Sequence, residues 1–422
     1  MTVLTIENVR IFDPASGYDE MGNIVCEDGV ITGFGPHIDV NGDVLDGEGL
    51  ICAPGLIDMR VRTGEPGNEN SETLATAAQA AIAGGVTSIV IMPETNPVID
   101  DMSLVDFLKR RGDELPVNVH IAGALTKGLD GHSITEIGLM SEAGAVMFSN
   151  GATPIANAQI MRRILAYGSR FNALIANRCV SPELSAGTVA HESDLSARLG
   201  LLGAPAISER IMAERDIALA ELTGGQVLID LVSSEDVLRV IRRAKSRDLD
   251  VAASVSINHL ALNELDIGDY RSFAKLDPPL REERDRQALI AAVNDGTIDV
   301  IVSDHNPQPA GQKRLPYSEA ASGAVGLEIL LTAGLSQVAD GGLDLRAMLT
   351  AMTARPAELL GLKAGRITEG APADLVLFDD GLPWVCDSDQ LRSGSKNTPF
   401  DGRRLTGRTV HTIKDGRVVY SA

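Results

Sequence analysis

The feature that most constrains the fold is a repeated alternation of strand-like and helix-like segments in the middle of the chain. The stretch Ala53–Asp100 contains one period: a buried strand, a loop, an alanine-rich helix and a second buried strand that ends in a proline-bounded turn. Two parallel strands joined through a helix form a βαβ unit. Repeated units of this kind favour a parallel α/β fold, in which functional residues lie where the strands end.

Eight apolar segments are predicted as buried strands and six amphipathic segments as helices between them. The predicted strands are Leu50–Val61, Val86–Met92, Val117–Ala124, Ala145–Ser149, Ala173–Asn177, Gln226–Val232, Val251–Ser256 and Asp299–Ser303. The predicted helices are Ser71–Ala83, Ser103–Gly112, Ile155–Ser169, Ser208–Leu222, Ser234–Arg247 and Arg281–Asn294. This count favours a (β/α)8 TIM barrel. A doubly wound open sheet is the alternative, but no GxGxxG motif follows the first strand to support a dinucleotide site.

The two ends of the chain have a different pattern from its middle. Residues 1–52 alternate apolar and polar side chains in short runs separated by Gly, Asp and Asn turns, and the same pattern returns in Gly365–Phe378 and Arg408–Ser421. Such runs predict antiparallel strands that bury their apolar faces on one another in a small composite β-sandwich. We therefore predict a barrel over residues 53–364 and a sandwich built from residues 1–52 and 365–422.

Composition excludes several classes of partner. The formal net charge of −21 argues against binding to nucleic acid or to anionic membrane surfaces. No apolar run approaches the roughly 20 residues that a membrane span requires. The four cysteines are far apart and form no CxxC motif, which is typical of reduced thiols. These features predict a soluble, cytoplasmic protein.

Several motifs resemble those of the dihydroorotases, a branch of the amidohydrolase superfamily. The first are Pro54-Gly55-Leu56-Ile57-Asp58-Met59, Glu65-Pro66-Gly67 and Met92-Pro93-x-Thr95-x-Pro97. Others continue to the end of the chain: Ala124–Leu129, Asp277-Pro278-Pro279-Leu280-Arg281, Asp304-His305-x-Pro307 and Asn397-Thr398-Pro399-Phe400. The resemblance implies an amidohydrolase-type barrel with a composite β-sandwich. It also implies descent from zinc enzymes that interconvert carbamoyl aspartate and dihydroorotate in pyrimidine synthesis.

The chain departs from the family at the positions where the resemblance places metal ligands. Arginine stands at both family histidines of the first strand and at the histidine of the fifth, the fourth strand has no aspartate, and leucine replaces the sixth-strand histidine. These positions are Arg60, Arg62, Arg178, Asn150, Gly151 and Leu231. A guanidinium stays charged and has no lone pair to give a cation. Only Asp304 remains of the family's set, as a vestigial catalytic residue, so the prediction is that the chain uses no metal cofactor.

The residues that would contact substrate are also changed. Gly64 stands where the family has an arginine that binds a substrate carboxylate, and Glu94 and Asp277 each replace an asparagine. Two added carboxylates would repel a dianionic substrate.

Arg60, Arg62 and Arg178 are expected to converge at the barrel mouth, where an unpaired buried charge is costly. One interpretation is a salt-bridge cluster in which Asp304, with Asp230, Asp277 or Glu94, neutralises the arginines. The other is a site that binds a small anion, such as a carboxylate or phosphate, through bidentate hydrogen bonds. Both interpretations remain open from the sequence.

The functional hypothesis is a catalytically inactive, dihydroorotase-like protein of pyrimidine biosynthesis that serves as a structural or regulatory partner. The resemblance suggests aspartate transcarbamoylase as that partner and a homodimer as the oligomeric state. The alternative is a divergent dihydroorotase or cyclic amidohydrolase that works without the usual dinuclear zinc site, with Asp304 as the base. A third hypothesis is an anion-sensing module.

Overall fold

The computed structural model describes residues 2–422 and combines a barrel of parallel strands with a second, mixed sheet. The strands are β1 (Val3–Asp13), β2 (Tyr18–Glu27), β3 (Val30–Gly35), β4 (Asp43–Asp46), β5 (Ile51–Pro54), β6 (Leu56–Val61), β7 (Val86–Ile91), β8 (Asn118–Ala124), β9 (Ala145–Ser149), β10 (Ile175–Arg178), β11 (Ala190–His191), β12 (Gly203–Ala204), β13 (Val227–Asp230), β14 (Val251–Ser256), β15 (Val300–Val302), β16 (Leu375–Val385), β17 (Arg404–Lys414) and β18 (Arg417–Ser421). The helices are α1 (Leu74–Ala83), α2 (Met102–Gly112), α3 (Ile137–Ala143), α4 (Ala158–Gly168), α5 (Pro182–Ser185), α6 (Asp194–Leu199), α7 (Ile207–Thr223), α8 (Glu235–Lys245), α9 (Ile257–Ala261), α10 (Glu283–Asn294), α11 (Ala310–Lys313), α12 (Leu330–Ala339), α13 (Leu345–Met352) and α14 (Ala354–Leu360).

The barrel strands lie in the order β6, β7, β8, β9, β10, β13, β14 and β15, and each pairs in parallel with its neighbour. A parallel bridge between Val61 and His305 brings the last strand beside the first. The predicted (β/α)8 TIM barrel is therefore confirmed. All eight strands end at one face, so the side chains at their carboxyl ends share the barrel mouth.

The barrel forms because its strands and helices have complementary apolar faces. Inward-facing side chains, including Ile57, Val90 and Leu228, pack into a buried cluster inside the barrel. Helix α8 buries the side chains of Val237 and Ile241 and exposes its arginine side chains. Burial of each large aliphatic side chain contributes about 1.5–3 kcal/mol, which favours this arrangement over an extended one.

The predicted strand Leu50–Val61 is divided in two by Gly55. β5 pairs with β1 and β16 in the second sheet, whereas β6 begins the barrel. A Cβ atom at Gly55 would lie 2.2 Å from Thr87 Oγ1, so only glycine allows this close approach of the chain to β7. Hydrophobic pattern alone does not reveal a change of sheet, because both halves are fully buried.

The second sheet is built from both ends of the chain, in the order β18, β17, β16, β5, β1, β2, β3, with β4 also paired to β1. Most of these pairs are antiparallel, but β1 runs parallel to β4 and β5. The composite sheet from the two termini was predicted, and the three domain boundaries stay predictions.

Within residues 2–422, each helix is too short or too polar to cross a membrane.

Candidate functional site

Charged side chains from the ends of four different strands lie at the barrel mouth. Arg60 lies near the end of β6, Arg178 and Asp230 are the last residues of β10 and β13, and Asp304 lies two residues beyond β15. Arg62 follows β6 directly. The structure therefore places all four residues of the predicted cluster, Arg60, Arg62, Arg178 and Asp304, at the same end of the barrel.

Arg60 is bound by two carboxylates. Its Nε donates to Asp304 Oδ1 at 3.0 Å, and its Nη1 donates to Asp230 Oδ2. The side chains of the three residues are 2%, 8% and 4% exposed. Burial disfavours the charged form of Arg60, but the charges of Asp230 and Asp304 outweigh it and raise the pKa of Arg60. Burial also raises the pKa of Asp304, although Arg60 and Arg62 oppose that effect.

Arg62 faces a carboxylate that is new at this position relative to the family pattern. Arg62 Nε lies 2.8 Å from Glu94 Oε2, within ion-pair distance, although the two atoms are not aligned for a hydrogen bond. Glu94 Oε1 accepts from the backbone N–H of Ala152 at 3.0 Å. A Cβ atom on Gly151 would lie 2.0 Å from the Glu94 carboxylate, so the missing side chain at 151 makes room for Glu94.

Arg178 has a single carboxylate partner in the part of the chain that the structure describes. Its Nη2 donates to Asp277 Oδ1 at 3.0 Å, and its side chain is 2% exposed whereas that of Asp277 is 49% exposed. Nε and Nη1 of Arg178 are buried and have no hydrogen-bond partner within residues 2–422. Burial disfavours the charged guanidinium, but Asp277 and Glu209 outweigh that effect and raise the pKa of Arg178.

The buried carboxylate of Asp58 connects the backbone of Arg60 to Ser303, the residue before Asp304. Asp58 accepts from the backbone N–H of Arg60 at 3.1 Å and from the Ser303 hydroxyl. Burial raises the pKa of Asp58 to about 6, although these hydrogen bonds oppose the shift. Asp304 has φ 49°, in the left-handed region that aspartate tolerates better than most residues. The strand ends are thus held in a defined geometry.

The other changed ligand positions have structural contacts. Asn150 accepts from the backbone N–H groups of Leu125 and Thr126 and donates to the Thr126 hydroxyl, so its amide connects β9 to the loop after β8. Leu231 is 1% exposed and packs in the apolar cluster inside the barrel. Cys179, beside Arg178, is a buried thiol whose pKa is raised by burial, as expected for a packed rather than a reactive cysteine.

Sequence reasoning missed a second buried network beside the mouth. Arg281 donates to Glu209 Oε1 at 2.8 Å, to Ala204 O at 2.9 Å and to His191 Nδ1 at 2.8 Å. Arg281 belongs to a motif that carries the family resemblance, but these three partners are at least 72 residues away in the chain. No short-range spacing in the sequence could have identified them.

Two cavities open at this end of the barrel. One, of about 380 Å³, is lined by Arg178, Asp277 and Arg281 together with the hydroxyl-bearing residues Ser185 and Thr188. The other, of about 190 Å³, is lined by Arg62, Gly64, Glu94 and Gln308 among others.

Sequence comparison connects this chain to two families. Residues 49–237 match the "Dihydro-orotase-like" family model, and residues 211–419 match the "Amidohydrolase family" model. The chain is 41% identical to a dihydroorotase from Pelotomaculum thermopropionicum over 418 residues, which cover 99% of this chain and 98% of the relative. It is 38% identical to a dihydroorotase from Pelobacter propionicus, with 99% of both chains covered.

Structural comparison gives the same type of fold. An L-hydantoinase (dihydropyrimidinase) from Arthrobacter aurescens superposes with a TM-score of 0.90 at 25% identity and covers 100% of this chain and 96% of its own. A dihydropyrimidinase from Brevibacillus agri superposes with a TM-score of 0.87 at 20% identity, covering 100% of this chain and 95% of its own. The barrel is therefore of the amidohydrolase type, as the sequence predicted.

The prediction that the chain uses no metal cofactor is wrong as it stands. The chain matches the amidohydrolase family and is similar to dihydroorotases, and the family resemblance described above implies zinc as their cofactor. In addition, one ligand atom from each of His191, Glu282 and Asp285 lies within 4.8 Å of the others, a cluster that could hold a metal ion. Burial, with Arg281, lowers the pKa of His191 to about 4. Asp285 Oδ2 is buried without a hydrogen-bond partner in residues 2–422. The sequence did not reveal this cluster because His191 is far in the chain from Glu282 and Asp285.

Proposed function

The chain belongs to the dihydroorotase family of the amidohydrolase superfamily, and from this premise we propose that it is a member whose barrel mouth has lost dihydroorotase catalysis. Its role is then structural or regulatory, as a cytoplasmic partner of aspartate transcarbamoylase in pyrimidine biosynthesis. The observation that carries the proposal is the guanidinium of Arg60, which is bound by Asp304 and Asp230 at a position where the family has a zinc-binding histidine.

The residues now at the mouth do not fit the family's zinc site. Zinc ligands must present a lone pair, whereas Arg60, Arg62 and Arg178 present only N–H donors. The Leu231 side chain, at a fourth ligand position, is apolar and packs inside the barrel. We therefore derive no reaction step through a metal at this place. This argument concerns the barrel mouth alone, and the cluster of His191, Glu282 and Asp285 is separate from it.

The state of Asp304 also supports the proposal. The resemblance makes this carboxylate the proton shuttle of the active relatives, a task that requires access to a reacting group. Here Asp304 is buried and its Oδ1 accepts from Arg60 Nε at 3.0 Å. A carboxylate held in a buried ion pair is poorly placed to exchange a proton with a ligand in the cavity.

The substrate side of the mouth has changed in a way that a single substitution would not reverse. A Cβ atom at Gly64 would lie 1.8 Å from the carbonyl oxygen of Asn68, so the loop here has no space for the family's arginine. Glu94 adds a carboxylate to the lining of the cavity of about 190 Å³, where it lies within ion-pair distance of Arg62 and so competes with an anionic substrate for that guanidinium.

A partner role requires surface available for association. Phe107 on α2 and Leu139 on α3, which are neighbouring helices, are each 48% exposed. Homodimerisation is part of the same proposal.

Two measurements on the pure full-length chain test the proposal. The first is cyclisation of carbamoyl aspartate with and without added Zn²⁺, for which we expect no activity above the uncatalysed rate in either condition. Turnover in proportion to bound zinc would overturn the loss of catalysis. The second is size-exclusion chromatography with aspartate transcarbamoylase, for which we expect co-elution. A chain that stays monomeric and elutes separately at micromolar concentration would refute the partner role.

A second candidate function is a divergent dihydroorotase or cyclic amidohydrolase. The observation in its favour is the 41% identity to a relative named dihydroorotase over 99% of the chain. The cyclisation assay decides between the two candidates, since a specific rate that follows protein concentration would favour the enzyme.

A further inference from the structure

Most hydrogen-bond donors of the buried Arg178 side chain have no partner within residues 2–422. Its side chain is 2% exposed, yet among the described residues 2–422 only Nη2 has a protein partner, Asp277 Oδ1 at 3.0 Å. Nε and Nη1 have no hydrogen-bond partner in residues 2–422. Burying N–H groups of a charged side chain without acceptors costs free energy, so the arrangement points to an acceptor that is supplied from outside the chain.

The shape of the guanidinium defines what that acceptor should be. The planar group offers two edges for bidentate hydrogen bonding, one through Nε and Nη2 and the other through Nη1 and Nη2. Nη2 carries two protons, and Asp277 Oδ1 accepts one of them. Whichever proton it accepts, one complete edge remains free. Carboxylates match such an edge with two parallel hydrogen bonds.

Glu209, the other carboxylate that stabilises the charge of Arg178, does not use this edge. Glu209 stabilises the positive charge of Arg178, but its Oε1 accepts from Arg281 and the Ser233 hydroxyl. Its Oε2 accepts from the Ser233 backbone and the Ser234 hydroxyl. The carboxylate of Glu209 is therefore fully engaged, and its geometry is set by Arg281 rather than by Arg178.

The cavity beside Arg178 has the size and lining of a small-molecule site. Its volume is about 380 Å³, within the range of about 300–1,000 Å³ that is common for ligand pockets. Besides Arg178 and Asp277, its lining includes the hydroxyl-bearing residues Ser185, Thr188 and Ser322. Asp277 is 49% exposed, so its carboxylate remains in contact with water while it pairs with Arg178.

We propose that this cavity binds a small carboxylate through the free edge of Arg178, next to Asp277, whose like charge competes with the ligand for the guanidinium. The site lies where the family has a metal ligand and is distinct from the cavity lined by Gly64 and Glu94. It does not depend on whether the chain associates with another protein.

The test is isothermal titration of the full-length chain with malonate, against sodium chloride of equal ionic strength. We expect a Kd in the millimolar range for the wild type, and a loss of at least about tenfold in affinity for Arg178→Met. Saturation with malonate should also raise Tm by about 1–2 °C. A matched control is Arg239→Met, which removes an arginine that is 70% exposed on α8, and which should bind malonate as the wild type does.

The Asp277→Asn variant tests the competition directly and does not require Arg178 to be changed. Asparagine is the residue that the family resemblance places at this position, so the fold should accommodate it. Removal of the competing charge should tighten malonate binding by at least about threefold. The proposal is overturned if malonate and chloride give the same titration with the wild type, if Arg178→Met binds as tightly as the wild type, or if Asp277→Asn gains no affinity.

Discussion

Arg60 and Arg178 lie at the ends of two strands of the same barrel, and each side chain is 2% exposed, but their surroundings differ. Arg60 is held by two carboxylates that are themselves almost completely buried. Within residues 2–422, Arg178 has one carboxylate partner, which is half exposed, and two nitrogens without partners. The Arg60 side of the mouth is therefore closed by internal ion pairs, whereas the Arg178 side keeps hydrogen-bonding capacity beside a cavity.

This comparison teaches that the same substitution, arginine at a position where the family has histidine, can have two consequences. Where two buried acids face the guanidinium, it completes an internal ion-pair cluster. Where the acid is solvated, the guanidinium remains available to a ligand. The number and burial of the partners separate the two cases, and the residue type does not.

The largest effect should follow from Arg60→Met. This change leaves Asp230 and Asp304 buried without their counter-charge, and we expect the free energy of unfolding to fall by about 3–5 kcal/mol. Urea-induced unfolding measures the loss. The control Arg239→Met removes an exposed ion pair with Glu235 and should cost about 1 kcal/mol or less.

A triple variant separates charge from packing at the same place. Adding Asp230→Asn and Asp304→Asn to Arg60→Met removes the two unpaired charges, and asparagine tolerates the left-handed backbone at position 304. We expect the triple variant to recover about 2 kcal/mol relative to Arg60→Met alone. If Arg60→Met and the triple variant both lose less than about 1 kcal/mol, the Arg60 side is not a closed, buried cluster.

The pH dependence of stability should show how strongly burial raises the pKa of Asp58, which contacts the backbone of Arg60. The pKa of Asp58 is raised to about 6 by burial, above its ordinary value of about 4 in the unfolded chain. The native state therefore binds more protons between these values, and the contribution of Asp58 to stability is complete below pH ~4 and falls as pH rises to ~6. The fall amounts to at most about 3 kcal/mol.

Unfolding of wild type and Asp58→Asn at several pH values between 4 and 7 measures this contribution by difference. Because asparagine does not titrate, the stability of the variant relative to wild type should increase across that interval. Parallel pH profiles for the two proteins would contradict the raised pKa of Asp58.

A smaller effect on stability is expected for Arg178→Met. The change removes the buried N–H groups that lack partners, and the half-exposed Asp277 can be hydrated when it loses its counter-charge. The free energy of unfolding should therefore change by about 1 kcal/mol or less. A loss as large as that of Arg60→Met, measured in the same urea titrations, would mean that the two sides of the mouth do not differ as described.

The smallest effect is expected at the cluster of His191, Glu282 and Asp285. If the cluster binds a metal ion, micromolar Zn²⁺ should raise Tm by about 1–2 °C through preferential binding to the native state, and removal by a chelator should reverse the shift. Asp285→Asn should abolish the response, whereas Arg60→Met should retain it. An equal response in wild type and Asp285→Asn would assign zinc binding to another place.

Much of the barrel could be predicted from sequence because buried parallel strands are continuous apolar runs. The predicted and observed bounds agree at both ends for Ala145–Ser149 and Val251–Ser256. One strand was predicted over Leu50–Val61, whereas the structure has two, Ile51–Pro54 and Leu56–Val61. The division was missed because the change of sheet at Gly55 depends on its contact with Thr87. The short helices α5, α6 and α9 were also missed, because tertiary contacts rather than long amphipathic patterns hold them.

The candidate site shows a similar division. Arg60, Arg62, Arg178 and Asp304 could be named from the positions of motifs along the chain. Their pairing could not, because Arg60 and Asp304 are 244 residues apart and several carboxylates were equally available to each arginine. The cluster of His191, Glu282 and Asp285 had no signal in the sequence and contradicts the prediction that no metal is used.

By itself, the sequence determined the barrel, the composite sheet from the two ends of the chain, and the family. These follow from periodicity and motifs, which are properties of residues near one another along the chain. Only the tertiary structure decided which arginine is neutralised and which retains free donors. That outcome depends on distance and burial between residues brought together by folding, and electrostatic energy in a protein interior changes steeply with both.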